Sequence, residues 1–121
     1  MKNAAFAIIT AAGLTACSAP PQITERALSV QVQRQYSNLL DKCQRLGPVT
    51  TRGEGSATFA AANSTPNDLA TYAAEIKARE RVIDMGGDTL VLLQTDLVSV
   101  VKGVPAAVFT MQVQGIALRC N

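Results

Sequence analysis

The chain has 121 residues, 11 Lys and Arg against 9 Asp and Glu, three Cys and no His. A formal net charge of +2 makes no electrostatic case for nucleic acid. The absence of His excludes Ser-His-Asp and Cys-His catalytic devices, and two or three cysteines alone cannot build the usual four-ligand zinc shell.

At the N-terminus Lys2 precedes an apolar run from Ala4 to Leu14, which is followed by Thr15-Ala16-Cys17. That run is short of the roughly 20 residues needed to span a bilayer, so the pattern predicts a cleaved leader over residues 1–16. Leu14-Thr15-Ala16-Cys17 resembles the lipobox of bacterial lipoproteins, and the resemblance implies that Cys17 is diacylglyceryl-modified, exposed by cleavage and then N-acylated. The alternative is an ordinary secretory leader cut after Ala16. Ser18, rather than Asp, follows Cys17, and by the Gram-negative sorting rule this implies the outer membrane, facing the periplasm. Residues 17–26, with Pro20 and Pro21, read as a lipidated cysteine and an extended tether. Residues 27–121 read as one domain. Cys43 and Cys120 then remain as the only pair able to bridge within the chain. In an oxidising compartment a disulfide is expected, the alternatives being separate thiols or intermolecular pairing.

Alternation of Leu28, Val30 and Val32 with Ser29, Gln31 and Gln33 predicts a first strand over 27–34. An irregular second strand follows over 42–51, around Gly47-Pro48. Residues 52–66, with Gly53-Glu54-Gly55-Ser56, predict a mobile surface loop. Thr65 or Asn67 caps a helix with Pro66 in its first turn and Gly86-Gly87 as its exit. Leu69, Tyr72, Ala73, Ile76 and Ile83 mark its expected buried face, while Glu75, Lys77, Arg79, Glu80, Arg81 and Asp84 fall on the expected solvated one. Two β-branched runs, 88–101 and 109–120, predict a hairpin turning at Lys102-Gly103-Val104-Pro105, with Gly115 marking a bulge or bend. Tyr36, Phe59, Tyr72 and Phe109 are expected in the core or at its rim. The stretch from Val98 to Val108 reads either as core or as an exposed contact surface. The fold class is therefore α+β: a small, mainly antiparallel sheet packed by one helix in the order β-β-α-β-β, closed by a disulfide.

Cys43-Gln-Arg-Leu-Gly-Pro-Val, the helix leading into Met85-Gly-Gly-Asp-Thr-Leu-Val-Leu-Leu, and Gln114-Gly-Ile-Ala-Leu-Arg-Cys120 complete a pattern that began with the lipobox. Together these segments resemble a family of small Gram-negative lipoproteins of uncharacterised function whose domain is related to the outer-membrane stress sensor RcsF. The resemblance covers residues 40–121. Asp88 stands where that family usually has Asn, and the second disulfide of the stress sensor is absent.

The helical acids Glu75, Glu80 and Asp84, with Asp88, offer a carboxylate pair for glycoside chemistry only if they converge, and their alternation with cations reads instead as a solvated face. Lys77, Arg79 and Arg81 form a basic patch suited to an acidic partner or lipid phosphate. The reading is a non-enzymatic, membrane-anchored envelope lipoprotein with no cofactor or metal. It would act by contact with an envelope protein partner, as sensor, adaptor or assembly factor. The alternative is a small periplasmic module that binds a glycan or lipid.

Overall fold

The computed structural model describes residues 22–56, 65–103 and 106–121. Thr24 caps a one-turn helix α1 (Glu25–Leu28) by accepting from the Ala27 amide, and Ala27 is completely buried. This turn replaces the first half of the strand expected over 27–34, and it draws Glu25 and Arg26 out of the expected tether. Only β1 (Gln31–Gln33) is extended. The alternation was real for Val30 and Val32, but Leu28 points to solvent. A 3-10 turn over Asn38–Lys42 leads to β2 (Gln44–Ser56), which runs through the first five residues of the loop expected over 52–66, both of its glycines included. The remainder of that expected loop, residues 57–64, lies outside the described residues, and Phe59 with it.

Helix α2 (Pro66–Asp84) starts at Thr65, whose side chain accepts from the Asp68 amide while the Asp68 carboxylate accepts from the Thr65 amide. This reciprocal capping box satisfies two of the helix's otherwise orphaned donors. Thr65→Ala is expected to lower stability by about 1 kcal/mol, read as a shift in the urea midpoint at unchanged slope. At the other end Gly86 (φ +84°) donates to Ile83 and Gly87 donates to Val82, the paired hydrogen bonds of a left-handed helix stop.

The sheet order is β1-β3-β4-β2, with β3 spanning Thr89–Val101 and β4 Val108–Arg119. β4 is antiparallel to both its neighbours, whereas β1 joins β3 in parallel over Thr89–Val91. β2 and β3 consequently run the same way on either side of β4, and α2 is the crossover between them. The α+β fold with one main helix and a closing disulfide is as expected, and the sheet is mixed. The β3–β4 hairpin also forms as expected; of its turn, Val104 and Pro105 lie outside the described residues. Gly115 pairs with Leu92, and the extra residue of the bulge is Leu93 across from it; a second bulge sits at Val98.

The buried stripe of α2 is Ala70, Ala74, Ala78 and Val82, one position round from the larger apolar set that periodicity favoured. The reason lies in β2. A Cβ on Gly53 would stand 2.3 Å from the Ala74 nitrogen, and one on Gly55 2.4 Å from the Pro66 carbonyl oxygen. Gly53, Gly55 and Thr51 share one face of the strand, and the Thr51 hydroxyl donates to the Ala74 carbonyl at 2.6 Å. Helix and strand therefore meet backbone to backbone, with alanine against glycine, and Leu69, Ile76 and Ile83 flank the contact half-buried. Above this side of the sheet Val49, Val82, Leu90 and Val113 form the main core, while Val91, Ile116 and Leu118 pack on the other side against Leu40 and Cys43. Tyr36 and Tyr72 are exposed rather than in the core, and Phe109 is half-buried.

Candidate functional site

Cys43 and Cys120 are bonded, with Cα atoms 4.3 Å apart across 77 residues of sequence. Asp88 organises this end of the molecule. Its amide donates to Leu118, and its carboxylate accepts from the amides of Cys120 (2.9 Å) and Asn121 (3.0 Å) and from the Thr89 hydroxyl (2.9 Å). The start of β3 thus fixes the position of the residue that closes the disulfide.

Burial alone would raise the Asp88 carboxyl, but the donors from Cys120, Thr89 and Asn121, with Arg119 nearby, outweigh it and hold the group below its ordinary 3.8. A carboxyl lowered by folding contributes stability above its unfolded value and loses that contribution as pH falls through its folded one. The expected result is that the wild-type melting temperature falls below roughly pH 4 and that Asp88→Asn flattens this fall. Thermal melts at pH 2.5–6 measure both.

The basic residues Lys77, Arg79 and Arg81 do not form one patch. Arg79 is half-buried and donates to the Ala27 carbonyl on the α1 side. Lys77 and Arg81, one helical turn apart, line a shallow depression of about 430 Å³ with Thr50, Thr51, Ile76, Glu80 and Asp84. Glu80 accepts from Thr24 and Arg26, and Asp84 from Arg26, so the two acids of this depression are already engaged. These contacts tie the segment entering the domain to the C-terminal half of α2.

Glu75, placed by its spacing on the solvated face, is instead buried and paired with Arg34. The four acids weighed for carboxylate chemistry are each occupied: Glu75 by Arg34, Glu80 and Asp84 together by the one guanidinium of Arg26, and Asp88 by backbone amides. Among the described residues no group of three or more His, Cys, Asp or Glu side chains is placed to hold a metal ion, and no helix is long and apolar enough to cross a membrane. Cys17 lies outside the described residues.

The feature that spacing left undecided is the far arm of β3. Leu93, Leu97, Val98, Val100 and Val101 are all exposed, with Val101 61% accessible, so the apolar stretch that begins at Val98 is surface in β3 rather than core. Leu97 pairs with Met111, and Val100 with Phe109, both near the start of β4. Helix α2 covers chiefly β2 and β4, which leaves this part of β3 bare. The signal for it was the density of β-branched residues with only Asp96 as a charge between Leu90 and Val101. No family model and no curated protein sequence matches the chain.

Proposed function

We propose that this protein is a non-enzymatic lipoprotein of the Gram-negative envelope, anchored through Cys17 in the outer membrane with its domain in the periplasm, and that it acts by protein contact in the manner of RcsF-like domains. The observation that carries the reading is Leu14-Thr15-Ala16-Cys17 behind a short basic and apolar leader. Several acyl chains on one cysteine hold a protein stably at a bilayer, where a single chain does not. The geometry of the domain supports contact away from that anchor. From Cys17 to Gln22 the chain reaches at most about 18 Å. Incoming residues are fixed beside Thr89 through β1 and beside Asp84 through Arg26, whereas Val101 lies about 40 Å further along β3 at ~3.3 Å per residue. The apolar arm thus lies further from the fixed entry segment than the tether can reach, which supports contact with a partner away from the anchor.

The test is the intact mass of the protein extracted from membranes of its native host, before and after reduction and alkylation. A chain starting at Cys17 with three acyl chains, and two cysteines alkylated only after reduction, is the expected result. An unacylated mass would overturn the anchor. The module for a glycan or lipid would then move ahead, with the depression beside Lys77 and Arg81 as its site.

A further inference from the structure

The end of the sheet where β3 begins gathers the entering segment, the disulfide and the 3-10 turn. The Gln31 amide donates to the Asp88 carbonyl, the Asp88 carboxylate accepts from the Cys120 amide, Cys120 is bonded to Cys43, and the Cys43 amide donates to Leu40. The turn over Asn38–Lys42 therefore lies at the same end of the molecule as α1, on the other side of the sheet. In a 3-10 helix side chains three residues apart eclipse. Leu40 and Cys43 accordingly share the inward face, against Val91, Ile116 and Leu118, and Leu39 and Lys42 share another that faces solvent. Leu39 is 85% exposed, the most of any large apolar side chain among the described residues. Of the four such exposed side chains that are not on β3, three (Leu28, Tyr36 and Leu39) belong to this entry region. The hydrogen bond to Asp41 holds the Tyr36 hydroxyl above its ordinary 10.0, with the nearby charge of Arg45 opposing it, so Arg45 stands beside the turn. Lys42 and Arg45 are exposed, and neither has an acidic partner within 4 Å among the described residues.

We propose that this end of the domain docks on the lipid surface that carries the anchor, with Leu39 seated in the headgroup layer and Lys42 and Arg45 on lipid phosphates. The tether identifies the occupant. At most about 18 Å of chain separates Cys17 from Gln22, and Thr24 and Arg26 are fixed at this end through Glu80 and Asp84. An acylated Cys17 thus brings a bilayer to the disulfide end, whereas the tip of β3 stands about 40 Å away. The side chains there suit such a surface. An exposed leucine reaches the acyl boundary, long cationic stems place their charges at phosphate level, and a tyrosine sits between apolar and polar layers. Nearby acids are engaged elsewhere: Asp41 by Tyr36, Asp84 by Arg26 and Asp88 by backbone amides. Covalent tethering keeps the surface at high effective concentration, so a contact of a few side chains suffices. The inference rests on the anchored reading above and adds an orientation to it, with the disulfide end against the bilayer and the apolar arm of β3 directed away.

The sequence contains no Trp, so Leu39→Trp in the full lipidated chain places a single indole at the point of contact, and Leu97→Trp places it on the arm. Each protein is reconstituted into vesicles of phosphatidylethanolamine and phosphatidylglycerol, with and without brominated acyl chains that quench indole at the acyl boundary. Leu39→Trp is expected to be quenched about threefold more than Leu97→Trp. Adding Lys42→Glu and Arg45→Glu should reduce the quenching of Leu39→Trp about twofold, since reversed charges repel the anionic surface. Equal quenching of the two indole variants, stronger quenching of Leu97→Trp, or indifference to the charge reversal overturns the proposal. Flotation of the same vesicles reads the anchor separately. Protein that floats while Leu39→Trp stays unquenched retains the anchor and overturns the docking, and protein that does not float overturns both.

Discussion

Cys43→Ser is expected to lower the stability of the domain by about 4 to 5 kcal/mol, the loop-closure entropy of a bridge spanning some 78 residues. Cys120→Ser should do the same, and the double variant should lose little more than either, because each change removes one shared bond. The bridge ties the entry of β2 to the exit of β4, two strands already paired from Gln44–Arg119 to Ser56–Val108. Its stabilising action is therefore exerted chiefly on the unfolded chain rather than by adding native contacts. Urea unfolding with and without reductant measures it, and the reduced wild type should match the double variant. Losses that sum across the two single variants would mean that the two thiols act separately. A domain of this size has only about 5 to 15 kcal/mol in total, so reduction brings it close to its unfolding threshold.

Gly53→Ala is the second large effect. The added carbon would fall 2.3 Å from the Ala74 nitrogen, 2.5 Å from the Ala70 oxygen and 2.8 Å from the Ala73 carbonyl carbon. All three are backbone atoms, so no rotamer can relieve the contact and the helix must lift from β2. Lifting it opens the Thr51–Ala74 hydrogen bond and the packing of Ala70, Ala74 and Ala78 together. The expected loss is about 3 kcal/mol or more. Gly103→Ala, whose added carbon meets nothing closer than 3.7 Å among the described residues, should change stability by less than about 0.5 kcal/mol. Denaturation midpoints of the two variants provide the comparison. A Gly53→Ala protein as stable as wild type would show that the helix does not depend on this close approach.

Local chemistry with a single strong solution was legible from the residues. Thr65-Pro66 and Gly86-Gly87 bounded α2 correctly because caps and left-handed stops act within a turn. The β3–β4 hairpin and the Cys43–Cys120 bridge followed from β-branched density and from cysteine counting. Features that depend on a partner distant in sequence were not legible. Gly53 and Gly55 resembled loop punctuation because glycine's meaning in a strand is set by what approaches it, here the alanines of α2. The same approach moved the buried face of α2 onto its smallest residues, against the usual preference of large apolar side chains for the interior. Glu75 looked solvated until Arg34, 41 residues earlier, was brought beside it. Of the candidate contact residues, Lys77 and Arg81 share a depression through their one-turn spacing, and Arg79 is turned away by the same helical geometry.

The position of β4 has a consequence for the order in which the chain becomes structured. It is the last of the four strands to be synthesised, yet it lies inside the sheet and, among the described residues, is the only strand that pairs with β2. Until residues 108–119 are available, β2 has no strand to pair with among the described residues, β3 has only its three-residue pairing with β1, and Cys43 has no Cys120. A nascent chain halted before β4 therefore cannot trap itself in a stable partial sheet. The sheet and the bridge that closes it therefore form together, once β4 has been made.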